Sequence, residues 1–441
     1  MNIVQITPGA GRMYCGNCLR DNALVRAWRA QGHAVLMVPL YLPLTLDEPD
    51  GSEGVPIFFS GLNVYLDQKA ALFRSAPAWL RRRLASPSLL RWAGRFAVRT
   101  RPVQVAEMTL SMLRGEEGHQ ARDLEELIAW LRTQPRPDTV CLSNALLVGF
   151  ARRIRSELGT PVAGFLAGED EFLDAMPEPF KTRVWDVLAE RAAEVDAWIA
   201  PSRYFAERMG PRLRLPPDRL HVLPVGLDLD GYPAPADSTV AADTGTLRNA
   251  TPPVLGYFAR MCPDKGLDLL VEAFLEITRR GSVPGLQLAV GGSCGPADEP
   301  FVRRLEGQIR AAGLSHAVQF HPNLDRAAKL RFLSALTLFS VPARVGEAFG
   351  LYVIEAMAAG VPVVQPRRGA FPEVIEATDG GRLFEPENVA SLAETIESLL
   401  RDPAACRRLG AAGQTAVHRR FAINAVARQH AELFECLPGS R

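Results

Sequence analysis

The stretch "IVQITPGAGRMYCGNCLRDNALVRAWRAQGHAVLMVPL", residues 3–40, holds one complete strand–helix–strand unit. Residues 3–7 form a short apolar run of the kind buried on both faces of a parallel sheet. Residues 17–31 follow as a helix with Leu19, Ala23, Leu24, Ala27 and Trp28 on one face, and residues 34–40 return as a strand. Between strand and helix, Gly9, Gly11 and Gly16 let backbone approach a ligand closely. The same turn carries Cys15 and Cys18 in a Cys-x-x-Cys spacing, and a helix N-terminus lowers a thiol pKa. A zinc site wants four ligands, and no second Cys-x-x-Cys exists. The turn is therefore first a glycine-rich loop. Cys262 and Cys294 also follow strands, which leaves a four-cysteine metal or disulfide role as the alternative.

Working outward, short apolar strands keep alternating with helices. "DTVCL", "PVAGFLAG", "AWIAPS" and "LHVLPVG" carry the pattern to residue 226. Residues 227–253, "LDLDGYPAPADSTVAADTGTLRNATPP", lack apolar periodicity and read as a linker. A second alternation starts at "VLGYFA" and runs through "LQLAVGG", "AVQFH", "LTLFSVP" and "VPVVQP", with helical stretches closing the chain at about 388–401, 403–420 and 422–436. The expected architecture is α/β: two Rossmann-like, doubly wound domains facing a central cleft, at 1–226 and 254–420, with a helix at 421–441 packing back on the first.

The totals agree with that class. The chain has 441 residues, 47% hydrophobic and 22% charged, enough for two or three domains with their own cores. A net charge of +1 argues against nucleic acid as a partner. Seven scattered cysteines suit a reducing compartment, no signal-peptide pattern opens the chain and no apolar run reaches membrane-spanning length, so a cytoplasmic protein is expected. Residues 77–101 stand apart, with seven arginines among Trp79, Leu84, Trp92 and Phe96. They read either as solvated helices or as a basic amphipathic patch making peripheral contact with an anionic membrane.

The second alternation carries the most chemistry. In "GEAFGLYVIEAMAAGVPVVQPRRGAFPEVIE", residues 346–376, Glu347 and Glu355 are separated by seven residues, and Phe349, Gly350 and Leu351 open the helix between them. A helix start after a glycine offers N–H groups and a positive dipole end to an anion. Glu355 lies about one turn inside, within reach of hydroxyls beside that anion. In "GYFARMCPDKG", Arg260 ends a strand and Lys265 sits on the next turn. Two cations there form a clamp for a diphosphate, able to stabilise charge on a departing phosphate. Taken singly, each of these residues could be an ordinary surface charge; together they suit a ligand combining phosphates with sugar hydroxyls.

"FARMCPDKG", "AVGGS", "SVPARVGEAFGLYVIEAMAAGVPVV" and "GAFPEVIEATDGGRLFEPEN" resemble the nucleotide-sugar domain of retaining glycosyltransferases of the GT-B fold, and more narrowly glycosyltransferase family 4 (glycosyl transferases group 1) with its Glu-x7-Glu motif. The match covers nearly all of 254–436; "VLPVGLDLDGY" is similar to the segment leading into that domain, and "PGAGRMYCGN" takes the place of the first glycine-rich loop. The resemblance implies that Arg260 and Lys265 bind the donor diphosphate, Glu347 contacts the transferred sugar, Phe349, Gly350 and Leu351 supply backbone contacts, and Glu355 holds the ribose hydroxyls. It also implies transfer from a UDP- or GDP-linked sugar with retention, with no metal and no other cofactor. The acceptor is open: a glycan, a lipid or a small molecule.

Where many members of the family carry a histidine in the first domain, this chain has Gly168, Glu169, Asp170 and Glu171. Those carboxylates are either acceptor contacts or an acidic helix start favoured by the dipole. Gly9 and Gly11 are donor-side candidates, and Asn17, Arg20, Asp21, Glu169 and Asp170 are acceptor-side candidates. A GT-B sugar-nucleotide epimerase and a non-catalytic sugar-nucleotide binder remain as alternative functions, and no pyridoxal-phosphate lysine motif supports a phosphorylase.

Overall fold

A computed structural model describes residues 1–9, 16–41, 50–58, 102–235 and 252–439. The chain divides into two compact units. One comprises Met1–Gly226 with Val426–Arg441, and the other Leu227–Ala425.

The first unit is built on a six-stranded parallel sheet in the order β2-β1-β3-β4-β5-β6. Its strands are β1 (Asn2–Thr7), β2 (Ala34–Pro39), β3 (Thr139–Leu142), β4 (Val162–Phe165), β5 (Ala197–Ala200) and β6 (Leu220–Val222). Every residue of β3, β4 and β5 is buried, as continuous apolar runs between two helical layers require. The helix Gly16–Ala30 joins β1 to β2, as the opening stretch implies. Two helices that the alternation of strands does not bring out, Pro102–Leu113 and Ala121–Leu131, precede β3. After β3, the "NALLVGF" segment is a 3-10 turn, Ala145–Phe150, and only Ala151–Leu158 is α-helical. The Asn144 side chain accepts the Leu146 N–H there, and an Asx turn of this kind competes with regular helix.

The second unit repeats the plan in the order β12-β11-β10-β7-β8-β9, again all parallel. Its strands are β7 (Val254–Phe258), β8 (Gln287–Gly292), β9 (Val318–Pro322), β10 (Leu338–Phe339), β11 (Val363–Pro366) and β12 (Gly381–Phe384). The chain runs outward through β7, β8 and β9, then returns to the other side of β7 with β10. The switch point of this sheet thus lies between β7 and β10, and ligands of doubly wound sheets bind outside the strand ends at such a point. Leu227 belongs to this unit: its N–H donates to the Phe421 carbonyl at 2.7 Å and its own carbonyl accepts from Ile423 at 2.9 Å. The stretch with seven arginines, residues 77–101, lies outside the described residues, as do Gly11 and Cys15. No described helix is long and apolar enough to cross a membrane.

Candidate functional site

Arg260 and Lys265 leave the carboxyl end of β7, and Glu347 leaves the carboxyl end of β10 across the switch point. The Lys265 ammonium donates to Glu347 Oε1, and the Tyr352 hydroxyl donates to the same oxygen at 3.0 Å. Glu347 Oε2 has no hydrogen-bond partner among the described residues. One carboxylate oxygen is therefore fixed by a cation and a phenol, and the other remains to accept from a ligand hydroxyl. The backbone around Glu347 is equally constrained. Its carbonyl accepts from Ala370 at 3.0 Å, and Gly369 (φ +61°) lies so close that a Cβ there would sit 2.6 Å from the Glu347 nitrogen.

Gly350 supplies the turn into the helix Leu351–Ala358 with φ +87°, in the left-handed region. Gly350 itself brings no side-chain cap to this helix, and a helix N-terminus presents a positive end suited to an anion. Phe349 is buried with its ring 5.8 Å from that of Phe421, fixing the chain just before the helix. Glu355, one turn in, is 8% exposed, and Lys329 donates to its Oε1 at 2.8 Å.

Arg260 is 57% exposed but not loose. Its Nε and one terminal nitrogen bond both oxygens of Asp298 at 2.9–3.2 Å. Burial opposes the charge on Asp298, and the bonds from Arg260 and from the Gly295 N–H overcome it, holding this carboxyl below the usual range. The Arg260 carbonyl is fixed in turn by the Tyr257 hydroxyl at 2.7 Å. The turn bearing Lys265 is pinned by Arg344, which bonds the Pro263 carbonyl and both oxygens of Asp268.

The donor-side candidate Gly9 and the acceptor-side candidates take up other positions, all in the first unit. Gly9 follows β1 with φ +72° and Asn17 is half-buried at a helix start. Arg20 is buried: it bonds Asp21 Oδ1 at 2.7 Å and the Ser143 carbonyl at 2.6 Å, and stacks on Phe165 with its carbon 4.6 Å from the ring centre. Asp21 is fully buried. Glu169 accepts the Ala145 and Ala167 N–H groups, each at 2.8 Å, so its carboxylate ties together the loops after β3 and β4. Burial pushes its pKa up, against those two N–H bonds. Asp170 is buried and paired with Arg208. Cys18 is buried in its helix, and among the described residues no group of three or more His, Cys, Asp or Glu is placed to hold a metal ion.

Sequence reasoning missed Asp298, Lys329 and Tyr352. The first two lie 38 and 26 residues from the groups they hold, where no spacing rule reaches. Tyr352 sits inside the motif, but only the turn at Gly350 brings its hydroxyl back to Glu347.

Two Rossmann-like units, with a lysine–carboxylate cluster and a glycine-led helix start at the switch point of the second, are the plan of GT-B proteins. Among solved structures the fold is similar to sucrose-phosphate synthase from Thermosynechococcus elongatus, with a TM-score of 0.68 at 20% identity over 99% of this chain and 98% of that one. It is also similar to Anabaena Alr3699/HepE, solved in complex with UDP, with a TM-score of 0.67 at 19% identity over 99% and 100%.

The glycosyl transferases group 1 model matches residues 242–416 and the glycosyltransferase family 4 model matches residues 90–230. The D-inositol 3-phosphate glycosyltransferase of Segniliparus rotundus is 30% identical over 325 residues, 71% of this chain and 66% of that protein. A GDP-mannose-dependent monoacylated alpha-(1-6)-phosphatidylinositol monomannoside mannosyltransferase of Corynebacterium glutamicum is 30% identical over 241 residues, 53% of this chain and 60% of that protein. The chain belongs to this glycosyltransferase family. It spans about half to two-thirds of the length of the curated relatives it matches.

Proposed function

We propose that the protein is a retaining glycosyltransferase that moves a sugar from a nucleotide-sugar donor to an acceptor hydroxyl. The observation that carries this reading is the cluster of Lys265, Tyr352 and Glu347 beside the start of the helix Leu351–Ala358. Arg260, Lys265 and the helix N-terminus supply positive charge for the donor diphosphate, so charge that develops as the glycosidic bond breaks is met without a metal. Glu347, anchored through Oε1, presents Oε2 to a hydroxyl of the transferred sugar. Glu355 takes the ribose hydroxyls. Retention fits attack from the side of the departing group, with the leaving phosphate accepting the proton of the acceptor hydroxyl; in this scheme the protein's task is positioning and charge stabilisation.

The donor base is open between uracil and guanine, since UDP was bound in a structural neighbour and GDP-mannose is used by a relative. The relatives' names put inositol phosphate and phosphatidylinositol mannosides first among acceptors to try, within the wider class of glycans, lipids and small molecules. Incubation with UDP- and GDP-linked sugars, with and without these acceptors, tests the reading by released nucleotide and glycosylated product. Glu347→Ala and Lys265→Ala should each abolish transfer in protein that still melts cooperatively. Unchanged turnover in either variant sinks the assignment.

A further inference from the structure

We propose that Lys329 is a positioning residue for nucleoside recognition: it orients the Glu355 carboxylate so that its second oxygen reads the ribose hydroxyls. This rests on the reading of Glu355 as the ribose-binding group.

Glu355 is 8% exposed, and a charged group so placed is costly to bury unless it is paired and hydrogen-bonded. Lys329 is its partner, with Nζ 2.8 Å from Oε1. Oε2 has no hydrogen-bond partner among the described residues. Ribose hydroxyls donate to a carboxylate, so one with a single oxygen pinned and the other open is matched to them.

The lysine itself comes from a well-fixed element. The helix Arg326–Ser334 is capped by Asp325, whose side chain accepts the Ala328 N–H at 2.7 Å, and the Lys329 N–H reaches the Asp325 carbonyl at 2.8 Å. Arg326 ties the helix start to the Asp230 carbonyl at 2.7 Å. The ammonium therefore arrives from a second helix, independent of the one that carries Glu355. This gives the carboxylate an orientation that its own helix does not set.

The test measures binding of UDP, GDP and ADP, and of their 2′-deoxy and 3′-deoxy counterparts, by calorimetry on the full chain. The wild type should prefer the ribonucleotide of its own base over a deoxy form by about tenfold or more, the size of one hydrogen bond to a charged group. Lys329→Met should bring that ratio to within about threefold of unity, and Lys329→Arg should keep most of it; Lys329→Gln serves if the Met variant does not fold. Glu355→Gln is the control and should lose the ratio too. A Lys329→Met protein that keeps the wild-type ratio while Glu355→Gln loses it overturns the role of Lys329. A Glu355→Gln protein that keeps the ratio overturns the ribose reading and this inference with it. No binding of any of the three diphosphates to the wild type overturns the donor reading itself.

Discussion

The Tyr352 hydroxyl shares Glu347 Oε1 with Lys265, so a single carboxylate oxygen carries two donors. Its ring is set by neighbours on two sides, 6.3 Å from Phe339 and 6.2 Å from Phe371 between centres. Removing the hydroxyl alone leaves that packing in place and releases one anchor of the carboxylate. Tyr352→Phe should therefore lower kcat by about tenfold, the loss of one charged hydrogen bond, with donor KM changed less than threefold and Tm nearly unchanged. Steady-state kinetics beside a melting curve checks it, and an equal fall in Tm and activity would make Tyr352 a packing residue only. This residue also marks the limit of what the sequence discloses. Glu347, Gly350 and Glu355 lie in one contiguous stretch, where spacing alone aligns them on a helix start. The lysines that fix the two carboxylates, Lys265 and Lys329, come from a turn and a helix elsewhere, and no local pattern announces Lys329, or Asp298 beside Arg260.

At the scale of elements, the strand–helix alternation was legible because buried parallel strands are short, continuous apolar runs. The reading falters where that signal thins. The "LTLFSVP" run contributes only Leu338–Phe339 to the sheet, since the chain turns away at once toward the loop that carries Glu347. The helix Ala121–Leu131 has Leu124, Leu127, Ile128 and Leu131 on its buried face, a helical period that a search led by strands passes over. The start of the helix Leu351–Ala358 is the element on which most of the site depends. Gly350 holds φ +87°, and a Cβ placed there would lie 2.7 Å from the Phe371 ring. Gly350→Ala combines left-handed strain with displacement of that ring, a cost of about 2–3 kcal/mol. The transition of the second unit should fall by roughly 5–10 °C in calorimetry. Transfer should fall further than stability does, because the helix start and Glu347 move together. A variant as stable as wild type would remove the strain argument.

Across the whole chain, the final residues return to the first unit, and the contacts they make there join parts of the sequence far apart. Trp28 Nε1 donates to the Ala427 carbonyl at 2.9 Å, a separation of 399 residues. His430 sits buried among Trp28, Phe165 and Phe434, with Arg20 close by. Its Nδ1 lies 2.8 Å from the Val426 carbonyl, which can only accept, so this nitrogen carries the proton of a neutral ring. Nothing in the local sequence separates such a histidine from a surface one; burial by distant segments decides it. Burial pushes its pKa down to about 4, helped by the Arg20 charge and opposed by the Val426 bond. The unfolded chain protonates this ring near its ordinary value of 6.5, while the folded protein does so only near 4. The folded state therefore binds fewer protons in that window, and stability is intact above about pH 7 and lost as pH falls from 6.5 toward 4. The full effect is about 3 kcal/mol. Glu169, whose pKa is raised by burial, acts in the opposite sense at the acid end of this range, so the comparison must be with a variant. His430→Gln should reduce the loss of urea stability between pH 7 and pH 4.5 by about 2 kcal/mol relative to wild type, as most of the titration window is crossed by then. Parallel slopes for the two proteins would mean that the ring titrates normally, and that the C-terminal helix does not seal it from water.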